Sequence, residues 1–258
     1  MTAPVKAQRP ARAARGTGRP RRAGLLARPA LILAGLLVLW LWTRGLRLDS
    51  IEARNVNGEV IGTQVLEHIE LTLICTALTV AIAIPLGVAV SLSRSRAGRM
   101  VVLGLGNLGQ AIPSVGLIVL LALVISIGVG TAVIALVAYA ILPVLRNTMV
   151  GIEGVDPVLT EAARGMGLSR LAVLFIVELP LAMPVILAGV RTALVLTVAS
   201  APLAALIDGG GLGEGLFTGL TLNRPVISVT FGVLVAALAL FTDWLGLLAE
   251  TFLRPKGI

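Results

Sequence analysis

Six long apolar stretches divide the chain, near Leu31–Trp42, Val65–Leu92, Met100–Ile127, Thr131–Val150, Met183–Ile207 and Val226–Leu248. Most are long enough to cross a hydrocarbon core of about 30 Å as helices. A helix satisfies its own backbone donors and acceptors in lipid, so the pattern predicts six helical spans in an all-α, polytopic membrane protein. One stretch is too long for a simple crossing: Met100 to Ile127 would make about 42 Å of helix. Pro113 stands in its middle, after Gly104, Gly106 and Gly109. A kinked, tilted or broken helix is expected there, and a broken helix is tolerated where it faces protein or a watery path. Pro113 is therefore a candidate path residue, with a plain proline kink as the alternative.

Composition strengthens this reading. Apolar residues make up 57% of the 258 and charged residues 13%, more apolar surface than a soluble domain of this length can cover. The net charge of +8 is concentrated at one end. Lys6, Arg9, Arg12, Arg15, Arg19, Arg21, Arg22 and Arg28 precede the first stretch, and no acid appears before Asp49. Such an arm, rich in Ala, Pro and Gly, reads as a disordered tail drawn to an anionic cytoplasmic leaflet rather than as a nucleic-acid binder. With the arm inside, the positive-inside rule puts Arg44–Gln64 outside and Arg94, Arg96 and Arg99 inside. The tight Gly128-Val129-Gly130 hairpin then falls outside, Gly151–Pro180 inside, Gly209–Arg224 outside, and Arg254 with Lys256 inside. Both termini are thus expected in the cytoplasm. The expected organisation is a basic arm at 1–28, a membrane domain at 29–250 with a cytoplasmic loop at 151–180, and a tail at 251–258. Arg21-Arg22 has the look of a twin-arginine signal, but Leu25–Trp42 is long for a signal core and no small-x-small site ends it.

Several chemistries are missing. Cys75 is the only cysteine and His68 the only histidine, too few for a zinc site without clustered carboxylates. A P-loop needs a lysine after a glycine-rich turn, and the only lysines, Lys6 and Lys256, stand in no such context. Neither a Gly-x-Ser-x-Gly elbow nor a His-Glu-x-x-His pair is present, and paired intramembrane carboxylates are not expected. Glu67 and Glu70 flank His68 where the second span starts, a position that reads as a solvated helix end rather than a proton relay. No internal repeat supports an inverted-repeat carrier.

The polar interval between the fourth and fifth spans carries the clearest motif. Asp156-Pro157 is a helix start, with Asp156 as cap and Pro157 at the first helical position. Gly167 can end that helix in a left-handed turn, and Ser169 can cap a second helix running toward Glu178. Small Ala162 and Ala163 would let a partner surface approach closely, and Glu161 offers a charge to fix across an interface. The run Glu161-Ala162-Ala163, three residues, Gly167, nine residues, Val177, one residue, Leu179-Pro180 resembles the signature of ABC-importer permeases, departing only by Val177 for Ile. The resemblance implies a type I importer permease with six spans, whose loop forms a coupling helix seated on a cytoplasmic ABC ATPase.

A finer resemblance runs from about Val65 to Thr218. Gln110-Ala-Ile-Pro113, Leu142-Pro143-Val-Leu-Arg146-Asn147-Thr148, Glu178-Leu-Pro-Leu-Ala, Ala188-Gly189-Val-Arg191-Thr-Ala-Leu and Gly210-Gly211-Leu212-Gly213-Glu214 are similar to permeases of glycine betaine/carnitine/choline importers. Asp208 stands where those permeases usually carry Gly, and Pro202 interrupts a span usually free of proline. The resemblance implies a non-enzymatic transport subunit in a prokaryotic plasma membrane. Its implied partners are the ATPase, which binds ATP and Mg so that this chain needs no cofactor, an extracytoplasmic solute-binding protein, and a second permease subunit, identical or not. Lipid surrounds the assembly. An amino acid is the alternative solute, and an ATP-independent carrier or channel the rival of another class. Arg191 lies in the fifth span and either faces the interior or snorkels to the interface. Gly210, Gly211 and Gly213 either line an outer gate or form a flexible connector.

Overall fold

The computed structural model describes residues 22–93 and 95–252. The basic residues of the arm up to Arg21, together with Arg94, Arg254 and Lys256, lie outside the described residues. Every element among the described residues is helical. Helix α1 (Arg22–Gly45) leads to a short α2 (Ser50–Asn55), then to α3 (Gly58–Leu92) and the pair α4 (Arg96–Ala111) and α5 (Ser114–Val124). Helix α6 (Val129–Glu153), α7 (Pro157–Gly165), α8 (Arg170–Val173), α9 (Leu179–Ser200), α10 (Leu212–Thr221) and α11 (Pro225–Phe252) complete the chain. Five helical segments are long and apolar enough to cross a membrane, and the α4–α5 pair, bent by 101°, is either a sixth, broken span or a re-entrant loop.

The expected break therefore falls where the sequence puts it. Helix α4 ends at Ala111, and Pro113 precedes the first residue of α5. Glycines let α4 lie close on α6: a Cβ at Gly109 would overlap the Ala138 carbonyl, and one at Gly106 would stand 2.9 Å from a Leu142 methyl.

Three boundaries differ from expectation. The first helix starts at Arg22 instead of after residue 28. Its Arg28 forms an ion pair with Asp243 of α11. Helix α3 begins at Gly58 rather than near Val65, because the Asn57 side chain caps it, accepting from Glu59 N and Val60 N, each at 3.0 Å. The fifth span is longer still, helical from Arg170 to Ile207. Pro180 does not end it. Leu179 N–H donates to Leu174 O, five residues back, in a π-helical turn (Leu174–Glu178) that passes over the missing proline N–H.

At its far end the same helix narrows into a 3-10 segment (Ala201–Ile207) with Pro202 near its start. It closes at Asp208, whose φ of 56° is left-handed, and Gly209 N–H donates to Ala204 O at 2.9 Å. That conformation accounts for the Gly-to-Asp departure, since Asp tolerates the left-handed region better than most residues. Pro202 sits where α-helix passes to 3-10.

Helix α6 is the centre of the bundle, packed on α3 and α9 and touched by α4 and α5. Helix α11 packs on α9 and α10, and α1 leans on α11. The inner seams are small: Ala83, Ala132, Ala140, Ala193 and Ala201 have no exposed surface. Small residues let helices in lipid approach closely enough for dispersion to hold them. Large exposed side chains such as Leu33, Val38, Leu66, Leu123 and Val124 cover the outside, as a lipid-facing surface requires.

Candidate functional site

Two constellations lie at opposite ends of the long helices. At one end is α7. The Asp156 side chain accepts from Val158 N at 2.9 Å, Pro157 opens the helix, and Gly167 follows it at φ 89°. Leu168 N–H reaches back to Ala163 O at 3.2 Å. Nothing within 4 Å of Gly167 would obstruct a Cβ, so backbone conformation, and not space, requires the glycine. Ser169 caps α8 by accepting from Ala172 N at 3.2 Å.

The two alanines divide. Ala162 and Glu161 are exposed, whereas Ala163 is only 3% exposed. Ala163 is thus small because α7 packs against its own chain, at α8 and the π-turn, and not to admit a partner. Beside Glu161 the free surface carries Val158 and Met166, 67% and 77% exposed. The loop is fixed to the spans: Arg170 Nη2 donates to Leu92 O at 2.9 Å, and Arg99 pairs with Glu153. Arg146 Nη2 donates to Asn107 Oδ1 at 2.6 Å, joining α6 to α4.

At the other end, α3 presents Gln64, Glu67 and His68 at i, i+3 and i+4, one face of a helix. Gln64 Oε1 accepts from Gly215 N at 3.1 Å, Glu67 Oε2 accepts from Gly211 N at 3.0 Å, and His68 Nε2 lies 3.1 Å from Val198 O. His68 is completely buried, which corrects the expectation of a solvated helix end. The glycines around Gly211 form a packed turn. Gly210 and Gly211 take φ 73° and 79°, a Cβ on Gly211 would stand 3.3 Å from His68 Cα, and one on Gly213 would overlap the Pro202 carbonyl. This turn is not a loose connector.

Against it lies a cavity of about 390 Å³ lined by four carboxylates: Glu67 and Glu70 of α3, Asp208, and Glu214 of α10. None of the four is in an ion pair among the described residues. Burial raises the Glu214 carboxyl above the ordinary range, and the charges of Glu67 and Asp208 raise it further. Among the described residues no three His, Cys, Asp or Glu side chains gather as metal ligands.

Arg191 stands apart from both constellations. Its Nε donates to Asp243 Oδ1 at 2.7 Å and its Nη1 to Glu250 Oε2 at 3.2 Å, with the side chain 20% exposed. It faces the interior and does not snorkel. Paired intramembrane carboxylates are not expected, yet Asp243 and Glu250 of α11 share this one arginine. Their spacing, seven residues along one helix, was the available signal.

Residues 82–254 match the family described as binding-protein-dependent transport system inner membrane component. The chain belongs to that family. The permease is 39% identical over 202 residues to the choline transport system permease protein OpuBB of Bacillus subtilis (strain 168), covering 78% of this chain and 92% of that one. It is 38% identical to the glycine betaine/carnitine/choline transport system permease protein OpuCB of the same organism, covering 74% and 88%. It is 34% identical to the osmoprotectant import permease protein OsmW of Salmonella typhimurium (strain LT2), covering 82% and 100%. Among solved structures, the inward-facing MetNI methionine ABC transporter aligns at TM-score 0.69 and 19% identity, over 81% of this chain and all of that one. At that identity the likeness is one of fold. The permease is a transport subunit with a type I importer fold, in which five or six candidate spans and the predicted loop helix are present.

Proposed function

We propose that this permease forms the path of an ATP-driven importer for a small quaternary-ammonium compatible solute, of the glycine betaine, choline or carnitine kind. The observation that carries the solute class is the similarity, across most of the membrane domain, to permeases named for those solutes. The acidic cavity adds physical support. Four carboxylates around about 390 Å³ make a negative potential at the outer mouth, which concentrates a cationic head group ahead of passage. Aromatic residues make up only 3% of the chain, too few for a cation–π cage of high affinity. Selection then resides in an extracytoplasmic binding protein, and the permease offers a weak site that can release.

In this reading the α7 end is cytoplasmic, as are both termini, and the acidic mouth is outside. Glu161 and Ala162, with Val158 and Met166 beside them, dock on a cytoplasmic ATPase that holds ATP and Mg; the permease itself carries no cofactor. Gly167 fixes the angle of the docked helix. A second permease subunit completes the pore. Closure of the ATPase dimer displaces α7, and continuous helix from Arg170 to Ile207 carries that displacement to the 3-10 segment beside the mouth. Gly210, Gly211 and Gly213 shape the mouth, Pro113 breaks a span against the middle of α6, and Arg191 braces α9 on α11.

The test is uptake of labelled betaine, choline and carnitine by cells expressing the complete transporter, with and without the binding protein. Uptake that needs both binding protein and ATPase is expected. High-affinity uptake without the binding protein would defeat delegated selection, and uptake of an amino acid but of no quaternary ammonium would defeat the solute class.

A further inference from the structure

Helix α9 loses a hydrogen bond to its own sequence. Ala201 N–H donates to Thr197 O, which continues the helical ladder by one more residue. The next carbonyl, Val198, would take its donor from residue 202, and Pro202 has none. Val198 is fully buried, so water cannot serve that oxygen. A buried carbonyl without a donor is a substantial cost. The group that meets it is His68 Nε2, 3.1 Å away on α3 and itself without exposed surface. A carbonyl can only accept, so Nε2 carries the hydrogen, and Nδ1 is left buried without a partner. A ring nitrogen left unpaired for the sake of this one bond marks His68 as serving the α9 carbonyl.

The bond stands at a strategic point. On the same face of α3, Gln64, one turn before His68, and Glu67, the residue next to it, take the Gly215 and Gly211 N–H groups. Beyond Val198, the Pro202 carbonyl is the surface on which Gly213 rests. We propose that His68 is a positioning residue for the outer mouth, donating through Nε2–H to the Val198 carbonyl that Pro202 strands, and thereby seating the 3-10 segment and the glycine turn on α3. The role at the mouth rests on the reading of that cavity as the outer opening of the path. The histidine and the proline are one device, each making sense of the other.

A double-mutant cycle tests the dependence. His68→Leu is made in the native background and in Pro202→Ala, where residue 202 regains an N–H for Val198. Each complex carries Val129→Cys, a cavity-lining position, with Cys75 replaced by alanine. Labelling of residue 129 by an impermeant maleimide then reads the shape of the mouth without reference to any solute. His68→Leu is expected to speed labelling at least fivefold with Pro202 present, and less than twofold with Pro202→Ala. Per complex in the membrane, the maximum uptake rate should fall at least tenfold only in the proline background, with half-saturation held within twofold. His68→Gln, whose amide N–H can reach the same carbonyl, should keep labelling within twofold of the native rate. Equal acceleration by His68→Leu in both backgrounds overturns the pairing. A cycle visible in unfolding temperature but absent from labelling overturns the role at the mouth. Failure of the native complex to take up any quaternary ammonium would defeat the solute reading alone, because the labelling cycle still decides the inference.

Discussion

Glu214 shares the acidic cavity with Glu67, Glu70 and Asp208, and its carboxyl is raised by burial first and by two of those charges second. A carboxyl that is raised on folding binds its proton more tightly in the folded state. Its contribution to stability is therefore fully present below the ordinary carboxylate value of 4.5 and is lost as pH rises through the raised one. Glu214→Gln should raise the unfolding temperature of the purified complex more at pH 7 than at pH 4. An equal effect at both pH values would show that the carboxyl is not raised. Glycines offer a second contrast. A Cβ at Gly213 meets the Pro202 backbone, whereas at Gly232 the nearest outside atom is a Leu216 methyl at 3.8 Å. Gly213→Ala should cost about 1–3 kcal/mol in thermal unfolding. Gly232→Ala should gain up to about 1 kcal/mol from helix propensity. The glycine run was legible as special but not as packed, because its contacts come from residues far away in the chain: Glu67, His68 and Pro202.

Helix α7 is the element that sequence describes most completely, since its cap, first proline and terminal glycine act within a few residues. Gly167→Val forces a β-branched side chain to φ 89°, at a cost of about 1–2 kcal/mol, and redirects the chain into α8. Normal membrane insertion with loss of ATPase co-purification and of transport is expected; full assembly and full transport would remove α7 from the coupling path. Local reasoning failed at Pro180, which reads as a boundary because proline breaks an α-ladder. Nothing in a hydropathy pattern announces a π-turn, so the pattern starts the fifth span at Met183 while the helix runs from Arg170. It failed again at Ala163, because size alone does not tell whether a small residue makes room for a partner or for its own chain. The capping box of α2, Asp49 with Glu52, is by contrast wholly local, set within four consecutive residues.

Across the whole molecule, the membrane class, the candidate crossings and the break at Pro113 follow from apolar length and one proline, whereas the ionic brace at α11 depends on which helices become neighbours. Asp243 holds both Arg191 and Arg28. Asp243→Leu should destabilise by about 1–3 kcal/mol, since these groups are only partly buried. Arg191→Met together with Glu250→Gln added to it should recover most of that loss in chemical unfolding, and strictly additive effects would deny the brace. Orientation has its own test: with Cys75 replaced, a cysteine at Glu59 should label from outside intact cells and one at Ser169 should not. Helix α3 joins the two constellations, because the same rod carries the clamp of Gln64, Glu67 and His68 near one end and the Leu92 carbonyl held by Arg170 at the other. From His68 to Leu92 that rod is about 36 Å long. Pro85 interrupts its ladder along the way, yet the helix runs on unbroken and cannot stretch, so in the proposed cycle it would act as a lever. A tilt of about 10° about its midpoint carries each end through about 3 Å in opposite directions, roughly the width of a water molecule. In the proposed cycle a nudge at the α7 end would thereby reach the acidic mouth reversed in sign.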